Sequence, residues 1–305
     1  MAALLGAASA SAQSTGSAAP EKVTEASSDD PEIVVEAPPT DLERRRELRE
    51  MAEEIIRPPR LGRTIGTFFD AICPKVFGLP EEPAAAIETR IRQNADRLGA
   101  NRRDPRENCN HNISVVFVAP QKGPPSVWLN ERSELLDHLL SYERARVLEE
   151  TGPVRSWTYT AFRSADGNVL PEQMGRPLEN VADFANPLRL ESRLRSRTTN
   201  EIIGAMVLIE LASAQGKTLE QLADYATMRT FAPTGGIAPD VVPAAPTILT
   251  LFQDEEPPEG LTVFDRALIS KLYDSSRNAL ASRYFSDIGA RALAMESEER
   301  SVSGE

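Results

Sequence analysis

Few side chains in this sequence could act as nucleophiles, general bases or metal ligands. The chain contains two cysteines, Cys73 and Cys109, and two histidines, His111 and His138. A reactive thiolate needs a neighbouring base, and His111 follows Cys109 closely, but the local sequence matches no known thiol-enzyme signature. A zinc site made by Cys109, His111 and a distant carboxylate stays open. The motifs Gly-x4-Gly-Lys-Ser/Thr, Gly-x-Gly-x-x-Gly, Gly-x-Ser-x-Gly and Cys-x-x-Cys do not occur in the sequence.

One acidic residue, Glu210, lies in the most apolar segment, for which we predict a helix from Ile202 to about Ala214. Zinc proteases carry His-Glu-x-x-His-x-x-Gly on such a helix, where the two histidines bind the metal. Here Glu210 and Gly216 match the pattern, whereas Ile209 and Ser213 replace the histidines. These positions therefore predict no bound metal and no zinc hydrolysis. The alternative is an ordinary core helix whose glutamate reaches its rim.

The composition indicates a folded and acidic protein. The chain has 305 residues, of which 41 % are hydrophobic, enough to bury a core. Its net charge of −12 argues against nucleic-acid binding, which uses clustered positive charge. No apolar run reaches the roughly 18–20 residues that cross a bilayer, so we expect no integral membrane segment.

The first residues predict export from the cytoplasm. Residues 1–12 resemble a signal peptide, because Ala10-Ser11-Ala12 has the small-x-small form of a cleavage site before Gln13. Residues 13–40 are rich in Ser, Ala, Glu, Thr and Pro, which predicts a disordered linker. A disordered Ala/Ser-rich cytoplasmic tail is the alternative interpretation of this end of the chain.

The two cysteines, Cys73 and Cys109, form an even pair separated by 36 positions. In an exported protein such a pair predicts a disulfide, whereas in a cytosolic protein it indicates two unrelated buried thiols. The export prediction therefore favours a Cys73–Cys109 bridge.

Hydrophobic periodicity predicts an α+β fold. We expect a single domain over residues 61–292, in which a small mixed sheet packs on the long apolar central helix. A charged amphipathic helix over 41–60 precedes the domain, and a disordered tail over 293–305 follows it. The other predicted helices cover residues 83–98, 133–149, 218–229, 262–273 and 276–292, and the predicted strands cover 112–118, 154–164 and about 188–194.

Several segments resemble exported alphaproteobacterial proteins of unknown function. They are Ile33–Pro38, which is similar to the start of many exported sphingomonad proteins, and Gln221–Arg229, Pro246–Phe252 and Leu261–Tyr273. The last of these also resembles the stretch that follows the metal helix in some secreted zincin-like families. The resemblance implies export and a zincin-like scaffold. It implies no catalytic residue, because Ile209 and Ser213 stand where zinc ligands would be.

Taken together, these features predict an exported, non-catalytic binding or accessory protein of the cell envelope, periplasmic or secreted, on a degenerate metallopeptidase scaffold. The expected partner is an envelope protein or peptide, and we expect no cofactor, metal or nucleic acid. Two alternatives stay open. One is a hydrolase that uses carboxylates or an unrecognised active site, and the other is a cytoplasmic partner-binding protein with reduced thiols.

Overall fold

The computed structural model describes residues 39–57, 64–101, 110–119, 125–164, 196 and 198–303. These residues belong to a unit that begins at Pro39. The helices are α1 (Asp41–Ile55), α2 (Glu81–Arg97), α3 (Pro125–Glu131), α4 (Ser141–Glu149), α5 (Leu219–Phe231), α6 (Val263–Asp274) and α7 (Ala281–Ser303). The strands are β1 (Thr67–Phe68), β2 (Pro74–Phe77), β3 (Ile113–Val118), β4 (Val154–Ser164) and β5 (Thr198–Glu210).

Strand β5 is the centre of a mixed sheet. It pairs in parallel with β1 and β3 and antiparallel with β4, and β3 pairs in parallel with β2. Ile113–Val118 lies alongside Ala205–Glu210, and β4 follows β5 over its whole length. The sheet therefore depends on contacts between segments that are far apart in the sequence.

The predicted central helix is wrong, because residues 198–210 form strand β5. Both faces of this strand are largely covered, so its apolar residues run continuously and do not alternate with polar ones. Periodicity alone does not distinguish such a strand from a buried helix. The β-branched residues Ile202, Ile203, Val207 and Ile209 are the feature that favours the strand.

Helices cover both faces of the sheet, which confirms the α+β class. On one face, which we call the α5 face, Val115, Ala205 and Val207 join a large core with α1, α2, α5, α6 and α7. On the other, the α4 face, Val116 and Leu208 join a smaller cluster with α3 and α4. None of the described helices combines the length and apolarity that a membrane crossing requires.

Several helix ends agree with the local sequence. Thr40 and Thr218 cap α1 and α5, each in a reciprocal capping box with the residue three positions later. Gly99 has a φ of +69° just after α2, a left-handed conformation that favours glycine and ends the helix. The capping chemistry of these ends is local, so the sequence predicts them well.

Other boundaries differ from the prediction. Residues 133–149 do not form one helix: a 3-10 turn spans Ser133–Leu136, and α4 begins only at Ser141, after an extended Leu140. Helix α7 continues to Ser303 where we predicted a tail from residue 293. Four buried residues of α1 join the main core, so this helix is part of the domain: Leu48, Met51, Ala52 and Ile55.

Three predictions fall outside the described residues. These are the leader over 1–12, the strand near 188–194 and the linker over 13–40 apart from its last two residues. They stay predictions. The strand that pairs with β4 in the described chain is β5.

The environment of Cys73 is compatible with the predicted bridge to Cys109, which itself lies outside the described residues. Cys73 is buried, and its backbone N–H donates to the Asn112 side chain at 2.8 Å. The Asn112 N–H in turn donates to the Cys73 carbonyl at 3.0 Å. Asn112 lies three positions after Cys109, so the two cysteines are within a short reach of chain.

If the predicted bridge joins Cys73 to Cys109, denatured, unreduced protein should contain no titratable thiol. A cross-link between positions 36 residues apart stabilises the fold by about 3–4 kcal/mol in the chain-entropy model. Thiol counting with a chromogenic disulfide checks this, with a reduced sample as the control. Two free thiols in the unreduced sample would contradict the bridge.

Candidate functional site

The residues of the degenerate zinc pattern do not lie together on a helix. Ile209 and Glu210 are the last residues of β5, and Ser213 and Gly216 lie in the turn that follows. Ile209 is fully buried in the core, and the Glu210 N–H donates to the Pro153 carbonyl. The helical spacing that would place a metal ligand at each end of this pattern is therefore missing, and the four positions form no site.

The histidines do not meet either. His111 and His138 are both exposed, and each makes an edge contact with a different ring, Phe77 and Tyr159 respectively. Within the described ranges, no group of three or more His, Cys, Asp or Glu side chains is placed to hold a metal ion. The zinc site that includes Cys109 falls outside those ranges.

A pocket lies beside β4, where α4 approaches from one face of the sheet and the end of α5 from the other. The empty space in and above it, open solvent included, amounts to about 700 Å³. We call it the arginine pocket, because Arg57, Arg146 and Arg229 line it. Its apolar lining comes from Leu139, Val147 and Trp157, and its uncharged polar lining from Ser156, Thr158, Thr160 and Asn200.

A buried salt bridge forms the floor of the arginine pocket. Arg229 is fully buried, and its Nη2 donates to Glu150 at 2.6 Å. The same guanidinium donates from Nε and Nη2 to the Ser156 hydroxyl, and from Nη1 to the Tyr225 hydroxyl. A buried guanidinium with four hydrogen bonds is held in one position. Arg229 is therefore a fixed positive charge at the base of the pocket.

Glu150 is the carboxylate that two arginines share. It also accepts from Arg57 Nη2 at 2.8 Å and from the Gly236 N–H at 2.8 Å. Burial alone raises the pKa of Glu150, but the attraction of Arg229 and Arg57 outweighs burial and leaves the pKa below its usual value. Glu150 is therefore a permanent anion at neutral pH.

The cluster around Glu150 has an excess of positive charge. Two further arginines adjoin it: Arg146 stacks on the Tyr142 ring, and Arg155 is buried, with Nη1 donating to backbone carbonyls. Among the described residues, the four arginines face two carboxylates, Glu150 and Glu143. The cluster thus keeps about two positive charges in a protein whose net charge is −12.

A β-bulge turns Asn200 towards the pocket. Tyr159 pairs with Gly204 and Thr160 with Ile202, so Ile203 is the extra residue of β5. The extra residue reverses the alternation, so that Ile202 and Ala205 both belong to the α5-face core. Asn200 lies two positions before Ile202 and shares its face.

Asn200 presents an unused hydrogen-bond acceptor. The residue is 8 % exposed, and its Oδ1 is buried without a partner among the described residues. Its backbone N–H donates to the Thr64 hydroxyl at 3.0 Å, which fixes the main chain at this position. A buried polar atom without a partner costs free energy unless a ligand or water meets it.

This arrangement suits binding better than catalysis. The carboxylate of Glu150 is neutralised by two arginines, and Glu143 accepts from the Leu140 N–H at the start of α4. The Ser156 hydroxyl accepts hydrogen bonds from Arg229, which is a cation and cannot take a proton from it. Glu150 and Ser156 are therefore both occupied by hydrogen bonds from arginine.

The sequence interpretation missed every charged residue of this pocket. Arg229 is the end of a predicted helix and Glu150 directly follows another, and neither residue carries a local signal for a site. Gly204 was an available signal for the bulge, since an isolated glycine in a strand favours one. Comparisons of the chain with models of protein families, with curated protein sequences and with solved structures gave no match.

Proposed function

We propose that the protein is an exported, non-catalytic binding protein of the cell envelope, and that its arginine pocket holds a small molecule. The observation that carries this proposal is a pocket lined by three arginines and by Asn200, whose buried Oδ1 has no described partner. Ligand pockets commonly combine apolar walls with a few placed polar groups.

The lining of the pocket supports a small-molecule ligand. Trp157, Leu139 and Val147 supply apolar walls on one side. The hydroxyls of Thr158 and Thr160 and the amide of Asn200 supply polar groups on the other. The Trp157 indole N–H donates to the Tyr159 hydroxyl, which donates to the Leu135 carbonyl, so that wall is held by its own hydrogen bonds. A wall of this kind needs little reorganisation when a ligand enters.

Export and an envelope partner belong to the same proposal. They rest on the leader-like residues 1–12. Mature protein that begins at Gln13 in the periplasmic fraction would support export, whereas cytosolic protein that retains Met1 would contradict it. We do not extend the zincin resemblance, because residues 198–210, on which the metal helix depended, form a strand.

The binding proposal is tested by screening a fragment library with ligand-observed NMR on wild type and on Thr158→Phe. Thr158 lines the pocket, and a phenyl ring there takes up part of its volume. The matched control is Ile203→Phe, which adds a ring to the adjacent strand at an exposed position outside the pocket. Thermal unfolding of each variant confirms that it folds.

We expect wild type and Ile203→Phe to bind the same fragments, and Thr158→Phe to lose most of them. A fragment set that binds all three proteins equally would place binding elsewhere and contradict the proposal. Failure of wild type to bind any fragment would contradict it as well.

A further inference from the structure

We propose that the ligand of the arginine pocket is a small carboxylate anion that also carries a hydroxyl or amino group. In this arrangement Arg57 and Arg146 bind the carboxylate, Arg229 supports them as a fixed charge, and Asn200 accepts a hydrogen bond from the hydroxyl or amino group. The inference rests on the proposed function, because it names the class of molecule that the pocket holds.

The first argument is the charge of the lining. Three arginines and one glutamate line the pocket, and Glu150 behind them already serves two of those arginines. Cations gathered in a partly desolvated pocket repel one another, since the local dielectric constant is low. An anion that enters from solvent removes this repulsion, whereas a neutral ligand leaves it in place.

The second argument is the number of hydrogen-bond donors still available. A guanidinium carries five N–H donors in a planar fork that fits the two oxygens of a carboxylate. Arg229 directs four hydrogen bonds to Ser156, Tyr225 and Glu150. Arg57 uses only Nη2, for Glu150, within the described chain. Its remaining donors can therefore bind a ligand.

The state of Arg57 agrees with this assignment. Burial lowers its pKa, Glu150 opposes this effect, and repulsion from Arg229 and Arg146 lowers the pKa further, so that it lies below the usual value. The salt bridge with Glu150 therefore does not fully offset the burial of Arg57 and the repulsion from its neighbouring arginines. A bound carboxylate supplies the missing charge.

Arg146 is placed to bind from the open side of the pocket. It is exposed on α4, and its guanidinium lies over the Tyr142 ring, 5.5 Å from the ring centre. Stacking on a ring holds the plane of the guanidinium while its N–H groups stay available at the edge. Arg146 can therefore approach the same carboxylate as Arg57, from solvent.

Asn200 defines the second feature of the ligand. An amide oxygen is an acceptor only, so the group that meets Oδ1 must donate. A hydroxyl or amino group does this, and a bare hydrocarbon does not. Sites that hydrogen-bond a ligand group discriminate strongly against analogues that lack it, because a buried partner is then left unpaired.

The test compares three forms of each member of a set of small hydroxycarboxylic acids that includes mandelate. The three forms are the acid, its methyl ester and the acid without the hydroxyl group, which for mandelate are mandelate, methyl mandelate and phenylacetate. Affinities are measured by ligand-observed NMR on wild type, Arg146→Gln, Arg57→Gln and Asn200→Ala. The matched control is Arg144→Gln, on the same helix, because Arg144 pairs with Asp137 and does not line the pocket.

We expect hydroxy acids to bind wild type at least about tenfold more tightly than their esters, as a charge-assisted bond implies. Arg146→Gln and Arg57→Gln should each remove most of that preference and leave ester binding unchanged, and Arg144→Gln should keep it. Asn200→Ala should reduce the advantage of the hydroxy acid over the acid without a hydroxyl. Arg146 is exposed, so its variant reports on binding even if Arg57→Gln fails to fold.

Equal affinity for acids and esters would overturn the anion assignment and leave the binding function intact. The anion assignment would also be overturned if only neutral fragments bound wild type and Thr158→Phe lost their binding. If wild type bound neither the fragments nor the hydroxy acids, the proposed function would be overturned, and this inference with it.

Discussion

Replacing Glu150 with glutamine is expected to destabilise the fold by about 3–5 kcal/mol, because it leaves buried arginines without their anion. The Glu150 side chain is 7 % exposed and holds Arg229, whose side chain is fully buried. Glutamine keeps the size of the side chain and removes its charge. Its amide N–H groups are donors, and they would face the guanidinium N–H groups of Arg57 and Arg229, which are donors too. Urea unfolding at pH 7 measures the difference.

The pH dependence of this difference gives a second measurement. The pKa of Glu150 lies below its ordinary value of 4.5 in the folded protein. Its contribution to stability is therefore complete above that value and is lost as the pH falls through the lower, folded-state pKa. The difference in the free energy of unfolding between wild type and Glu150→Gln should become smaller below about pH 4.5.

The control for Glu150→Gln is Glu149→Gln, at the neighbouring exposed position. We expect its free energy of unfolding to stay within about 0.5 kcal/mol of wild type. If the free energy of unfolding of Glu150→Gln also lies within about 1 kcal/mol of wild type, the salt bridge between Glu150 and Arg229 does not stabilise the base of the pocket as we describe.

Replacing Asp224 with alanine is expected to cost about 3 kcal/mol, because this buried carboxylate joins three parts of the domain. Asp224 accepts from Arg90 Nε and Nη2, both at 2.9 Å, and from Asn94 Nδ2 at 2.6 Å, which links α5 to α2. It also accepts from the Leu261 N–H at 3.1 Å, just before α6. Alanine leaves these donors unpaired, and urea unfolding measures the loss.

The chain supplies a matched control for Asp224→Ala on the same helix. Glu220 lies one turn earlier on α5 and also approaches Arg90, at 3.9 Å, but its side chain is 70 % exposed. An exposed pair of this kind contributes less than about 1 kcal/mol, so Glu220→Ala should change stability little. Equal effects from the two variants would show that burial of Asp224 does not matter.

Some helix ends and the strands β3 and β4 follow from nearby residues, and for this reason the sequence predicts them. A threonine cap such as Thr218 makes its hydrogen bond three positions away, and the β-branched and aromatic content of Ile113–Val118 favours a strand from that segment alone. Strand β5 is different. Its run is apolar on both faces, so periodicity does not separate a strand from a buried helix, and β1, β3 and β4 hold it extended.

The arginine pocket could not be predicted from local patterns. Arg229 and Glu150 are 79 positions apart, and Arg57 and Glu150 are 93 positions apart, so neither pair leaves a periodic signal. The direction in which Asn200 faces depends on the bulge at Ile203, which is defined by pairing with β4. The acidic composition of the whole chain also gives no hint of a local excess of arginine.

The position of β5 at the centre of the sheet has a consequence for how the chain acquires its structure. Residues 198–210 are the last described strand in the sequence, yet β1, β3 and β4 all pair with them. Before they are synthesised, the described strands offer only the short β2–β3 pair, and two-stranded units are marginal in water. Contacts of such long sequence separation also form slowly. The described sheet is therefore incomplete until about two thirds of the 305 residues have been synthesised.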